Sequence, residues 1–394
     1  MAKLTIEQLD LAGRRVFLRA DLNAPVEAGA ITDDTRLRAV VPTIQYATSR
    51  GAAVVLASHL GRPRGRPTPE ASLRPVAERL ESLLGQPVPL APDCVGPEVA
   101  EQAQRLKPGE VLLLENLRFH KEEEINDEGF ARALAAPADC YVNDAFAAAH
   151  RAHASIVAIT KFLQPAAAGL LMQKELNALT RILERPERPL AAILGGAKVS
   201  DKLALVENLL LRVDALLIGG GMAFTFLRSL GHDVGRSLLE PGQIDTARRI
   251  LEGARRRGVS VVLPVDVVVA SEPDSPSGSV VGIREIPADR MGLDIGPLTV
   301  ERFAATLKSA RTIVWNGPLG VFEKPAFAAG TLGVARAVAD AAAFSVVGGG
   351  DTLAAVNAAG VADRIGYIST AGGAFLEFLE GRSLPGVQAL TEVS

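Results

Sequence analysis

Leu190-Ala191-Ala192-Ile193-Leu194-Gly195-Gly196-Ala197-Lys198-Val199-Ser200-Asp201-Lys202 sets the pattern for the whole chain. Five apolar residues run without a polar break, two glycines follow, and then two lysines. From Asp201 to Leu211 the apolar residues recur at helical spacing. An unbroken apolar run of this length marks a strand buried on both faces, as in a parallel sheet; a half-exposed antiparallel strand would alternate. Glycine between such a strand and a helix lets bare backbone N–H groups approach a phosphate.

The same unit recurs outward from this stretch. Short apolar runs stand at 15–20, 53–58, 111–114 and 140–143 in the first half, and at 215–218, 260–263, 312–315, 344–347 and 366–369 in the second. Stretches such as 75–84 and 201–211 between them carry helical spacing. Strand, helix, strand in this repetition predicts a doubly wound α/β fold. The chain of 394 residues exceeds one hydrophobic core, so its length implies two or three domains. Glu184-Arg185-Pro186-Glu187-Arg188-Pro189 resists both helix and strand and reads as an exposed connection, preceded by one helix over Leu170–Leu183.

Composition narrows the class. Apolar residues make up 48% and aromatics 4%, so the cores must be Leu, Val, Ile and Ala. A net charge of −3 disfavours nucleic acid as the main partner. Cys94 and Cys140 have no second cysteine at metal spacing and read as reduced thiols of a cytosolic protein. The start Met1-Ala2-Lys3-Leu4-Thr5 has no long apolar run, so no secretory signal is expected, and no run is long enough for a membrane span.

The polar residues after each strand are the informative ones, because open parallel sheets bind ligands beyond the carboxyl ends of their strands. In the first half these ends are cationic. Run 15–20 leads to Asp21 and Asn23, then Arg36 and Arg38; run 53–58 leads to His59, Arg62, Arg64 and Arg66. Run 111–114 leads to Arg118 and His120, and run 140–143 to Asp144, His150, Arg151 and His153. The planar fork of arginine suits carboxylate and phosphate oxygens. Lys121-Glu122-Glu123-Glu124 reads as a solvated helix start.

In the second half the strand ends are glycine-rich: Gly195-Gly196, Gly219-Gly220-Gly221, Gly348-Gly349-Gly350 and Gly372-Gly373. Four such clusters favour a nucleotide site over tight turns alone. If a helix begins near Lys198, Lys198 and Lys202 share one face at its positive end, an arrangement that is unfavourable unless an anion sits there. Only nine of the 42 Lys and Arg residues are lysine, which makes two at one turn harder to credit to surface solvation. Asp351 is equally readable as an N-cap or as a magnesium ligand beside a phosphate cradle. No Gly-x-x-x-x-Gly-Lys-Ser/Thr, His-Arg-Asp or Asp-Phe-Gly motif occurs, which argues against P-loop enzymes and protein kinases.

Taken together, these segments resemble phosphoglycerate kinase over essentially the whole chain. The resemblance rests on Arg19-Ala20-Asp21-Leu22-Asn23-Ala24-Pro25, Ser58-His59-Leu60-Gly61-Arg62-Pro63, Glu115-Asn116-Leu117-Arg118-Phe119 and Asn143-Asp144-Ala145-Phe146 with His150-Arg151. It continues through the Gly195 to Lys202 turn, Gly219-Gly220-Gly221-Met222-Ala223-Phe224, Trp315-Asn316-Gly317-Pro318, the Gly348 to Thr352 loop and the Ser369 to Ala374 segment. It implies two Rossmann-like domains, each a mainly parallel sheet covered by helices, joined by a hinge helix. The implied spans are 1–170 for the acid substrate, 171–186 for the connecting helix, 187–375 for the nucleotide, and 376–394 for a tail returning to the first domain.

The resemblance also implies reversible phosphoryl transfer from 1,3-bisphosphoglycerate to ADP, giving 3-phosphoglycerate and Mg-ATP, in a cytoplasmic monomer with no nucleic-acid or membrane partner. Asp21 and Asn23 would hold the glycerate end, His59, Arg62, Arg118 and Arg151 the phosphate that is not transferred, and Arg36 would lie beside the reacting carboxylate. Lys198 would follow the phosphoryl group and Lys202 would bind nucleotide phosphates. Glu323 would contact ribose, Gly219, Gly220, Gly292 and Asn316 would line the nucleotide site, and Gly349, Gly350 and Thr352 would surround the phosphates. Asp351 would serve Mg2+, held as Mg-ATP or Mg-ADP, and Gly372 and Gly373 would help neutralise charge in transfer. Leu22, where the family often has Phe, Ala371, in place of a glycine, and the Ala71-Ser72-Leu73 segment, without the usual Tyr, depart from the pattern. The helix over Leu170–Leu183 and the segment 369–375 are the expected hinges for domain closure. Two alternatives stand beside this reading: another ATP-dependent carboxylate kinase, and a non-catalytic two-domain solute-binding protein.

Overall fold

The computed structural model describes residues 2–393. It divides into two compact units, one of residues 1–177 with 383–394 and one of 178–382. The division falls inside the helix Leu170–Leu183.

The first unit is built on a five-stranded sheet in the order Val111–Leu113, Ala53–Ala57, Arg15–Arg19, Cys140–Asn143, Ala166–Ala168. Every pairing in it is parallel. Ala53–Ala57 is buried at all its positions, which is why its apolar run is unbroken. Val16, Leu18, Val54, Leu56 and Val142 pack with Leu37, Val40 and Ile44 of the helix Thr35–Ser49 and with Val76 and Leu80 of Arg74–Leu84. The strands step away from Arg15–Arg19 on one side and then restart on its other side. That reversal, between Arg15–Arg19 and Cys140–Asn143, is a switch point, where the connections diverge and open a crevice. The tail closes on this unit: Leu4 N–H donates to Thr391 O at 2.8 Å, and Gly386 N–H to Ala149 O at 2.8 Å.

The second unit has a six-stranded sheet in the order Ser260–Val262, Ala215–Ile218, Leu190–Leu194, Thr312–Asn316, Phe344–Gly348, Tyr367–Ser369. It too is parallel throughout, and its switch point lies between Leu190–Leu194 and Thr312–Asn316. A three-stranded antiparallel sheet of Asp266–Ala270, flanked by Ser279–Gly282 and Met291–Ile295, supplements it. Trp315, Phe303, Ile313 and Val334 centre the main core. No helix among the described residues is long and apolar enough to cross a membrane.

Candidate active site

In the first unit the switch point gathers charge. Arg19 ends the first strand with its side chain only 1% exposed. Its Nε donates to Ser155 Oγ at 2.9 Å, and its Nη2 lies 3.2 Å from His59 Nδ1. A guanidinium can only donate, so His59 Nδ1 must accept, and the ring proton is assigned to Nε2. Burial, then the charges of Arg19, Arg118, His153 and Arg151, hold His59 well below the ordinary imidazole range. The ring is therefore a neutral donor set among cations.

The neighbouring loops are tied through one residue, Gly61. Asn23 Oδ1 accepts from Gly61 N–H at 2.8 Å, and Arg118 Nη1 donates to Gly61 O at 2.8 Å. Ser58 Oγ accepts from Leu22 N–H and donates to Ala20 O, both at 2.9 Å, fixing the bend that presents Asp21. Leu22 itself is fully buried and packs into the core. Arg36, in the first turn of Thr35–Ser49, donates from Nη1 to Asp21 Oδ2 at 2.9 Å. Arg151 Nε donates to His150 Nε2 at 3.1 Å. Arg62 is exposed on the loop that carries Gly61.

One expectation here is overturned. Residues 121–124 do form a helical turn, but Glu123 is not solvated: it is fully buried, accepting from Ser155 N–H at 2.9 Å and Ser155 Oγ at 2.6 Å. Burial raises its carboxyl pKa while Arg19 opposes that shift. Glu124 Oε1 lies 3.5 Å from Arg118 Nε. Part of this tetrad is thus the buried counter-charge of the cationic cluster. The sequence assigns no site role to Arg19, Ser155 or Glu123, because their partners lie up to 136 residues away.

In the second unit the two strands of the switch point end against each other. A Cβ on Gly195 would lie 2.0 Å from Pro318 O, and one on Gly220 would lie 2.8 Å from Gly196 N. Only glycine permits this approach, and it leaves a cavity of about 500 Å³ walled by Gly196, Gly220, Gly292, Leu319, Glu323 and Asp351, among others. A Cβ on Gly292 would overlap the Phe224 ring at 2.1 Å, so glycine is also what admits the apolar wall there. Gly219 packs under Leu319.

The lysine turn differs from its expected form. Ser200–Lys202 is a 3-10 turn and the α-helix starts only at Leu203, so Lys198 and Lys202 do not share a helical face. Lys198 is exposed. Lys202 turns inward, donating from Nζ to Asn316 O at 2.9 Å and Asn316 Oδ1 at 2.5 Å. Burial pushes its ammonium down to about 8. Glu240, unforeseen in the sequence, holds the turn by accepting from Val199 N–H at 2.5 Å and Ser200 Oγ at 2.5 Å.

Asn316 Nδ2 donates to Gly348 O at 2.8 Å, and Thr352 Oγ1 accepts from Gly317 N–H at 2.7 Å. These bonds fix the start of the helix Gly350–Ala358, with Gly349 at φ 98° where a Cβ would meet Asn316 Nδ2. Asp351 sits in that first turn, exposed and facing the cavity. Gly372, at φ 52°, and Gly373 begin the helix Gly373–Leu379 and stand outside the cavity wall. Ala371 is buried beside them and donates its N–H to Ser369 Oγ at 3.3 Å.

The chain is similar to known proteins along its whole length. A model of the phosphoglycerate kinase family matches residues 6–382. The phosphoglycerate kinase of Moorella thermoacetica is 58% identical over 394 residues, covering 100% of both chains. That of Acidobacterium capsulatum is 55% identical, also covering 100% of both. The solved structure of phosphoglycerate kinase from Coxiella burnetii superposes with a TM-score of 0.92 at 44% identity, covering 98% of each chain. A fold with two switch-point sites and relatives this similar along its full length leave one assignment: the chain belongs to the phosphoglycerate kinase family.

Proposed function

We propose that this kinase binds the phosphorylated acid on its first unit and the magnesium nucleotide on its second, and moves phosphoryl between 1,3-bisphosphoglycerate and ADP. The observation that carries the reading is the crowding around His59. Arg19, Arg118 and Arg151 crowd a buried neutral imidazole, and Glu123 and Glu124 offset only part of their charge, an arrangement that favours a further anion. His59 Nε2–H, Arg62, Arg118 and Arg151 would hold the phosphate that stays behind. Asp21 and Asn23 would take the glycerate hydroxyl end, and Arg36 would stand by the reacting carboxylate.

The accepting carboxylate is already ionised at neutral pH, so no general base is needed. What the reaction needs is alignment of donor and acceptor and neutralisation of the charge in flight. On the second unit Lys202, Asn316, Gly349, Gly350 and Thr352 would fix the nucleotide phosphates, and Gly219, Gly220, Gly292 and Glu323 would seat the nucleoside. Lys198 and the Gly372-Gly373 turn would meet the transferring group. Asp351 offers a hard carboxylate oxygen on the cavity wall, in the first turn of the helix Gly350–Ala358, which fits Mg2+ held by a carboxylate and substrate phosphates. When bound there, the ion neutralises phosphate charge. An acyl phosphate must be kept from water, so transfer calls for the two ligands to be brought together in a closed state.

The test is a coupled assay with 3-phosphoglycerate and Mg-ATP against a panel of other carboxylic acids. Turnover confined to 3-phosphoglycerate supports the reading. Preference for another acid points to a different carboxylate kinase, and binding without turnover to a solute-binding protein.

A further inference from the structure

Cys94 and His120 take no part in the reaction above, yet the fold of the first unit brings them together. Cys94 Sγ, a carboxylate oxygen of Asp93 and an imidazole nitrogen of His120 all lie within 4.8 Å of one another. His120 Nε2 is 2.7 Å from Asp93 Oδ1. The imidazole is held in plane by stacking on Phe130, with ring centroids 5.1 Å apart. Asp93 Oδ1 also accepts from Cys94 N–H at 2.6 Å, which fixes the carboxylate over the next residue. The thiol is buried, whereas Asp93 and His120 reach the wall of a cavity of about 530 Å³ that Glu115 also lines and no lysine or arginine does.

We propose that Asp93, Cys94 and His120 form a binding site for a divalent cation of the zinc class. The donor set decides the class: thiolate and imidazole together select zinc-like ions over magnesium or calcium, which take oxygen ligands. Three protein ligands leave the fourth tetrahedral position open, here towards the cavity and solvent. Ligand atoms around such an ion stand roughly 3.3–3.7 Å apart, given bonds of about 2.0–2.3 Å. The 2.7 Å hydrogen bond and the 4.8 Å outer limit bracket that spacing, so side-chain adjustment suffices. The ion would replace the proton shared by His120 and Asp93.

The chemistry balances without any redox partner. The Cys94 S–H bond breaks, its proton leaves to the buffer, and the sulfur electron pair forms the bond to the ion. The Nε2 proton that His120 shares with Asp93 leaves to solvent and Nδ1 takes one up, so the imidazole stays neutral and presents the lone pair of Nε2. The carboxylates of Asp93 and Glu115 at the cavity wall favour a cation once it arrives. Because His120 follows the turn Leu117–Phe119 that carries Arg118, an ion here would also tether one wall of the acid site.

The test is a titration of the nucleotide-free, chelator-treated protein with Co2+, followed by displacement with Zn2+. The expected result is tetrahedral d–d absorption with a thiolate-to-cobalt charge-transfer band, saturating at a single equivalent and abolished by Zn2+. Cys94→Ser should lose the charge-transfer band. His120→Gln should weaken binding by at least the roughly 10–100-fold that outer partners of a metal site cost. Circular dichroism checks that both variants fold; if either does not, the wild-type cobalt spectrum decides alone. A wild-type spectrum without the charge-transfer band, or identical titrations in folded variants, overturns the proposal. Neither outcome bears on the kinase reading, whose assay needs no Co2+ or Zn2+.

Discussion

Lys202 and Lys198 stand four residues apart and answer to different physics. Burial lowers Lys202 to about 8, so the free enzyme loses this positive charge above that pH. Nucleotide phosphates favour the ammonium form, so binding above pH 8 must take up a proton. ADP affinity should therefore hold steady up to about pH 8 and then fall by up to about tenfold per unit. Lys202→Met should bind more weakly at neutral pH and show a flat profile between pH 7 and 9. Calorimetric titration in a pH series reads both. Lys198 is exposed on a turn that Glu240 pins. The transfer role proposed for it predicts that Lys198→Ala lowers kcat by about 10²–10³-fold, the cost of one preorganised donor, with ADP affinity nearly unchanged. Equal losses in kcat and affinity would refute that role. The lysine pair was legible in the sequence because two of so few lysines meet at one turn. Their different burial was not, since it depends on Asn316, 114 residues away.

At the scale of elements, the helix Ala329–Asp340 starts on a residue of another strand. Asp294, in Met291–Ile295, accepts from Gly330 N–H at 2.6 Å and from Ile295 N–H at 2.9 Å. Asp294→Ala leaves a helix-start donor unpaired in the interior and should cost about 2–4 kcal/mol. Burial raises this carboxyl from 3.8 to about 7, against the hydrogen bonds that lower it. A group raised on folding binds more protons in the native state, so its contribution is complete below pH 4 and declines as pH rises through 7. The stability gap between wild type and Asp294→Ala, from urea midpoints, should thus narrow from pH 5 to pH 8. A widening gap would contradict the sign. The parallel strands were legible because Ala53–Ala57 and Leu190–Leu194 are buried throughout and carry unbroken apolar runs, as does the Ile313-Val314-Trp315 centre of Thr312–Asn316. Ala166–Ala168 was not, since three alanines have no strand preference and pair only because the sheet edge is there. Nor was the antiparallel sheet: Ser279–Gly282 is half-exposed and lacks a clean alternation.

Across the whole molecule, the chain leaves the first unit after residue 177 and returns to it at 383. The returning segment is structural: Leu384 and Leu390 are each 2% exposed, Lys3 pairs with Glu392 at 3.1 Å, and Val393 N–H donates to Ala2 O at 3.0 Å. Burying two leucines contributes about 3–6 kcal/mol, a large share of the roughly 5–15 kcal/mol that holds a domain together. Removing residues 383–394 should therefore bring the first unit near its folding threshold while leaving the second unit's own core intact. The chain carries a built-in reporter for this, because its single tryptophan, Trp315, is fully buried in the second unit. Far-UV circular dichroism sees both units, whereas tryptophan fluorescence sees only the second. The truncated chain should show a loss of ellipticity at low urea with no change in fluorescence, then a fluorescence transition at the wild-type midpoint. It should also retain ADP affinity while losing 3-phosphoglycerate binding. A single transition shifted equally in both signals would mean instead that the two units unfold as one cooperative body.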